Sequence, residues 1–365
     1  MSMSKEYREQ LLTDISLKAD AVINTLPPFT KRYFYHLKDT NSSPRTILQY
    51  AYALRRFFIF LETLPVMCDI DFKTAKASEV MDLLTIDDIQ EFSRSLDYYQ
   101  RSCNGQTTTH VYSPSGKAAI MCSIRSFYRY MFVIREISNN LSDIIDIPHI
   151  PTKKKNTLTR EQIQRLMDAV MDHEGMDERT LAVRKKIEIR DLAIIMLLLG
   201  TGIRISELTG IDLKDVDIYN ASILVTRKGG KEDYVYFSSD IEDVLLDYID
   251  HYRESLLPDS SCSNALFISN HHKRLTVRSV QKMLKKYAEK ADLNITVTPH
   301  TCRRTYGTFI YEETGDVYLT QQLLGHESVE TTSKHYVVSS PTHDAADIAS
   351  KIFKNDLQKN KNLKI

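Results

Sequence analysis

Residues 298–336 collect side chains suited to attack on an anion. Thr298-Pro299 reads as a helix N-cap followed by a proline at the first helical position, where a missing N–H does no harm. His300, Arg303 and Gly307 then fall at i, i+3 and i+7, so an imidazole, a guanidinium and a side-chain gap share one helical face. Gly325-His326 and Tyr336 follow. A phenol, two imidazoles and a permanently charged fork point to phosphate, whose oxygens arginine binds bidentately. Singly these signals are weak: the chain has 20 tyrosines, and most tyrosines are core or surface residues.

Two more candidates lie upstream. In Thr201-Gly202-Ile203-Arg204-Ile205-Ser206-Glu207-Leu208, Arg204 sits among apolar residues where a buried helix over 188–199 turns into a short one. A guanidinium there is costly unless paired or bound to an anion, and Glu207 is the neighbour in reach. Lys228 stands just before the Gly229-Gly230 turn of a hairpin with strands over 222–226 and 233–237. A lysine at such a turn is more often simply solvated.

The elements that must position these residues are mostly helical. Over 1–150 the apolar spacing predicts four or five helices in a compact bundle. Ser43-Pro44 opens a long helix whose Ile47, Tyr50, Ala51, Leu54, Phe57, Phe58 and Leu61 form an inward stripe. Arg45, Gln49, Tyr52 and Arg56 recur on other faces, a row of donors suited to nucleic-acid phosphates and equally compatible with a plain exposed face. Thr85 caps another helix, and residues 101–114, rich in Asn, Gly, Thr and Ser, read as a loop. A helix from about Ser115 buries Ile120, Ile124, Phe127 and Met131 and leaves Lys117, Arg125 and Arg129 outside. Prolines 148 and 151 with Lys153, Lys154 and Lys155 mark a linker over 151–157, basic enough to touch a backbone phosphate. Thr159 and Gln162 form a capping box at the start of a second domain over 158–340. The hairpin over 222–237 is the clear β segment there, and Leu266-Phe267-Ile268 suits a short added strand. A helix spacing over 344–357 and a basic tail complete the segment 341–365.

Net charge is zero, with 48 basic and 48 acidic residues, but the charges segregate. Residues 270–310 hold nine Lys/Arg against two acids, and 232–259 hold nine acids against one arginine. A neutral chain can thus present one basic face. The sequence has no apolar run long enough to span a membrane and its first residues lack a signal-peptide core, so a cytoplasmic protein is expected. Five scattered cysteines without a C-x-x-C pair read as reduced thiols. His271-His272 lacks partners at metal-ligand spacing, and neither a Walker loop nor a dinucleotide fingerprint occurs.

Taken in order, Arg204, Lys228, His300, Arg303, His326 and Tyr336 resemble the tyrosine recombinase (phage integrase) family over most of the chain. Residues 201–208 look like its first arginine box, Lys228 like its hairpin lysine, and His300-Thr-Cys-Arg303 like its H-x-x-R box. Leu324-Gly-His326 with Tyr336 looks like its closing box. The chain departs from the pattern at Arg304, where the family commonly has histidine, and its tyrosine lies ten residues after His326 where some members use nine. The resemblance implies a mainly α, two-domain fold: a helical core-binding domain, then a mixed α+β catalytic domain with a small β-hairpin or sheet. It implies cleavage and rejoining of double-stranded DNA through a 3′-phosphotyrosine on Tyr336, without metal or cofactor. Arg204, Arg303, His300 and His326 would stabilise the phosphate, Lys228 would protonate the leaving oxygen, and Glu207 would support the site. Arg45, Gln49, Arg56, Lys117, Arg125, Lys153, Lys154, Lys155 and Arg304 are the candidate DNA contacts. A tetramer on DNA, of this chain or with a related recombinase, is further implied, with an accessory protein as a possible partner and residues 341–365 docking on a neighbour. No extra arm-binding domain is expected before residue 25, which favours an Xer-like recombinase over a mobile-element integrase. A DNA-binding protein that has lost catalysis and a type IB topoisomerase are the remaining alternatives.

Overall fold

The computed structural model describes residues 3–103, 106–150, 156–174, 177–185, 187–227, 230–257 and 264–324. The chain divides into two compact units, Arg8–Lys153 and Lys154–Ile365, with Met1–Tyr7 grouped with the second.

The first unit contains α1 (Met3–Ile23) from Arg8 on, α2 (Lys31–Asp39), α3 (Pro44–Leu61), α4 (Ala77–Met81), α5 (Ile86–Ser95), strands β1 (Tyr98–Cys103) and β2 (Gln106–Val111), and α6 (Pro114–Val133). Local chemistry sets several helix starts. The Ser43 hydroxyl accepts from the Thr46 N–H at 3.1 Å with Pro44 in the first turn, and Thr85 and Asp88 form a reciprocal capping box. The core is aromatic: Phe57 meets Phe92 edge-on at 5.0 Å and Tyr33 meets Phe127 at 5.4 Å, a geometry that the ring quadrupoles favour. Six helices are described where four or five were expected. The stretch read as a loop over 101–114 is also corrected. Most of it belongs to an antiparallel ribbon in which Tyr98 pairs with Val111 and Cys103 with Gln106. Asn104-Gly105, followed by Thr107, Thr108 and Thr109, is the sequence signature of a tight hairpin, and the polar composition hid it.

The second unit runs α7 (Arg160–Met171), α8 (Glu178–Lys185), α9 (Glu188–Thr201), α10 (Ile205–Leu208), β3 (Val216–Asp217), β4 (Ser222–Thr226), β5 (Glu232–Tyr236), α11 (Ser239–Asp247), α12 (Val277–Lys290), α13 (Pro299–Thr314) and α14 (Val317–Leu324). The three strands form one antiparallel sheet in the order β3-β4-β5, with Val225 opposite Asp233 and Thr226 opposite Glu232. Residues 266–268 form no strand of that sheet; isolated bridges Asp212–Ala265 and Ile268–Arg274 flank them. Helix α9, buried from Ala193 to Thr201, is the centre of the core, and α11 and α13 pack against it. It ends two residues later than its sequence suggests. Gly200 is still helical, and Gly202 makes the left-handed cap at φ 61°, a conformation that costs a residue with a Cβ about 1–2 kcal/mol. Among the described residues no helix is long and apolar enough to cross a membrane. The helical spacing over 344–357 lies outside the described residues.

Candidate active site

The turn after α9 delivers the first group. Arg204 is the residue before α10, with extended backbone. Its N–H donates to Oε2 of Glu207 at 2.9 Å and its Nη1 to Oε1 at 2.9 Å. The Glu207 side chain is only 3% exposed, whereas that of Arg204 is 31% exposed. A carboxylate this buried requires cationic partners, and it has a second one. Nη1 of Arg227, just past the end of β4, donates to Glu207 Oε2 at 3.1 Å, while its Nε donates to Oδ2 of Asp233 on β5 at 3.1 Å.

Helix α13 supplies the third guanidinium. Thr298 caps it, accepting from the Thr301 N–H at 3.1 Å, and Pro299 opens its first turn. One helical turn in, Arg303 is buried; its Nη1 donates to the Gly202 carbonyl at 2.6 Å and its Nη2 to the carbonyl of Leu324 at the end of α14. The turn that presents Arg204 and the helix that presents Arg303 are therefore fastened to each other. Burial, reinforced by repulsion from Arg204 and Arg227 and opposed by Glu207, lowers the Arg303 pKa to about 10. It stays charged at neutral pH. Among the described residues, three guanidiniums (Arg204, Arg227, Arg303) gather around the carboxylates of Glu207 and Asp233. A cluster this rich in guanidiniums suits an anionic ligand.

Beneath the cluster lies Tyr306, buried on α13, its phenol pushed well above the usual range by burial although Arg227 and Arg303 pull the other way. Its ring abuts Gly202, where an added Cβ would lie 2.5 Å from Tyr306 Cδ1. The gap at Gly307 is filled by α14, since a Cβ there would meet Leu324 Cδ1 at 2.8 Å. Arg227 and Tyr306 were not singled out from sequence. Tyr306 follows Arg303 by three residues and so shares its helical face, a readable signal. The pairing of Arg227 with Glu207 depends on tertiary contact.

The remaining candidates divide by position. His300 is exposed on the first turn of α13. Arg304, one position on, donates to the Asn156 carbonyl at 2.8 Å. Arg45, Gln49, Tyr52 and Arg56 all line one concavity of about 1060 Å³ in the first unit, together with Arg55, Tyr112 and residues of α6. Arg56 lies over the Tyr112 ring at 4.9 Å. Lys117 is ion-paired with Asp97, and Arg125 donates to the Ile145 carbonyl. Lys153, Lys154, Lys155, Lys228, His326 and Tyr336 lie outside the described residues. Among the described residues no group of three His, Cys, Asp or Glu is placed to hold a metal.

A paired arginine site of this form, on a helical unit with one small antiparallel sheet, defines a class. The phage integrase family model matches residues 156–343, and the chain belongs to that family as a site-specific DNA recombinase. It is similar to the tyrosine recombinase XerD of Oceanobacillus iheyensis, 31% identical over 210 residues that cover 58% of this chain and 67% of that protein. The tyrosine recombinase XerS of Lactococcus lactis subsp. cremoris is 27% identical over 363 residues, 93% of this chain and 99% of that protein. Two solved structures share the fold. XerH recombinase in a pre-cleavage complex with difH substrate gives a TM-score of 0.55 at 18% identity, covering 87% of this chain and 80% of that one. A lambda integrase dimer bound to a COC′ core site gives 0.56 at 15% identity, covering 85% and 98%.

Proposed function

We propose that the chain exchanges DNA strands by two successive transesterifications, with the Tyr336 phenolate as nucleophile and a 3′-phosphotyrosine as the covalent intermediate. The Tyr336 hydroxyl gives its proton to a nearby base, for which His300 is the candidate, and its oxygen bonds to phosphorus as the 5′-oxygen leaves and takes a proton from Lys228. In the second step a 5′-hydroxyl attacks the phosphotyrosine and the phenol is released. Bond energy is conserved in the ester, so no nucleotide is consumed. In-line attack builds charge on the non-bridging oxygens, and preset cationic donors stabilise it most when they need not reorganise. Arg204 and Arg303 fill that role, with hydrogen bonds from His300 and His326. The observation that carries this reading is the buried Arg303, locked to the Gly202 carbonyl at 2.6 Å beside Arg204.

On this reading the concavity bearing Arg45, Gln49 and Arg56 faces duplex phosphates, and Lys153, Lys154 and Lys155 of the linker contact the DNA backbone. Lys117, Arg125 and Arg304 already hold protein partners and contribute less. A tetramer on DNA in the cytoplasm, with residues 341–365 docking on a neighbouring copy, completes the proposal, and truncation after Ser340 should then weaken cooperative DNA binding. The chemical step is tested with nicked duplexes selected from a random-sequence pool by binding to the protein. The intact chain should form a covalent adduct that survives denaturing electrophoresis, and Tyr336→Phe should not. An adduct that persists in Tyr336→Phe refutes the nucleophile; no adduct with the intact chain favours a protein that binds DNA without cutting it.

A further inference from the structure

The first arginine box is completed from the hairpin. Glu207 is a buried carboxylate with an oxygen given to each of two guanidiniums: Oε1 to Arg204 and Oε2 to Arg227, the latter shared with the Arg204 backbone N–H. Arg227 is itself nearly buried, its side chain 12% exposed, and its Nε is held by Asp233 across the sheet. The backbone on either side is fixed as well, for the Arg227 N–H donates to the Lys231 carbonyl at 2.7 Å and its carbonyl accepts from the Gly230 N–H at 3.2 Å. A guanidinium tied at both ends and screened from solvent is placed to orient a neighbour, not to travel to a substrate.

We propose that Arg227 is a positioning residue that acts through Glu207 on Arg204. By sharing the Glu207 charge it limits how strongly that carboxylate holds the Arg204 guanidinium, and by its fork geometry it sets the plane in which Glu207 presents Oε1. Without Arg227, Glu207 turns its whole charge on Arg204 and draws it from the phosphate. Arg227 sets the direction in which the phosphate-binding arginine faces. This rests on the reading of Arg204 as a phosphate ligand.

The test is a double-mutant cycle on single-turnover cleavage of the selected nicked duplex, with DNA affinity measured in parallel. Arg227→Ala should lower the cleavage rate at saturating DNA about ten- to hundredfold, the range of one charged hydrogen bond, while Kd for the duplex changes less than about threefold. Arg227→Lys keeps the charge without the fork and should recover part of the rate. In the Glu207→Gln background the Arg227→Ala loss should shrink severalfold, because the path runs through Glu207. Repeating the assay on a duplex with a 5′-bridging sulfur, whose thiolate leaves without a proton, should not restore Arg227→Ala. Full restoration there would mean that Arg227 serves leaving-group protonation, and would overturn the proposal. So would additive losses in the cycle, or an unchanged rate in Arg227→Ala. If Arg227→Ala does not fold, the cycle is run with Arg227→Lys under the same criteria. Absence of any adduct from the unaltered chain is a separate outcome, and refutes the parent reading instead.

Discussion

Replacing Gly202 by alanine tests how tightly the site is tied to the packing beneath it. Gly202 holds φ at 61°, which costs an L residue about 1–2 kcal/mol. The new Cβ would also stand 2.5 Å from Tyr306 Cδ1 and 3.1 Å from Leu324 Cδ2. Tyr306 is buried and cannot swing aside, so an overpacking penalty of about 1–3 kcal/mol is added. The sum is about 2–5 kcal/mol. At about 2–4 °C per kcal/mol for a unit of this size, the second unit should melt about 4–20 °C lower. Catalysis should fall with it even at low temperature, because the Gly202 carbonyl is the acceptor that holds Arg303. Differential scanning calorimetry gives the stability, and adduct formation on the nicked duplex gives the activity. In a Tyr306→Ala background the 2.5 Å clash disappears, and the penalty should fall toward the backbone cost of about 1–2 kcal/mol plus what the 3.1 Å approach to Leu324 retains. A Gly202→Ala protein that melts within about 2 °C of the parent would refute the reasoning.

Three further outcomes are expected. Arg303→Lys should reduce single-turnover cleavage by about a hundred- to a thousandfold, since one ammonium cannot hold two carbonyls and also stabilise a phosphorane-like transition state. Cys302 is fully buried and its thiol is pushed up to about 12, so iodoacetamide at pH 8 should label exposed Cys68 and Cys122 and spare Cys302 until denaturant is added. By linkage the unfolded thiol ionises near 9.0 while the folded one stays neutral to about 12, so alkali above 9 should destabilise the fold across that window. Arg45→Ala and Arg56→Ala should each weaken duplex binding and flatten the salt dependence of log K by about one unit, while Lys117→Ala, losing a residue already paired with Asp97, should change it less.

What the sequence makes legible here is whatever depends on neighbours along the chain. The caps at Ser43, Thr85, Thr159 and Thr298 are short patterns whose donors and acceptors lie three residues apart, and all four are formed. The apolar run of α9 announces its own burial. Arg204 and Glu207 are one turn apart, so their pairing could be anticipated. Arg227 could not: its partner Glu207 is 20 residues away and meets it only because β4 runs back beside α10. Lys117 and Arg125 fail as exposed-face residues for the same reason, each finding a partner 20 residues distant. The ribbon over 98–111 is a different case. Its Asn-Gly signature was present, but a stretch with no apolar alternation gives no period to read.

Arg303 has a consequence for how such a chain can change over time. One guanidinium joins the end of α9, helix α13 and the end of α14 through the carbonyls of Gly202 and Leu324. On the proposed reading, substituting it removes a phosphate-stabilising group; it also orphans two backbone acceptors, one of them on buried Gly202. A lineage discarding catalysis would therefore be expected to keep this arginine long after it had lost its nucleophile. For the same reason an inactive protein made by altering residue 303 is a poor blank for binding studies, since it differs from the parent in architecture as well as in chemistry.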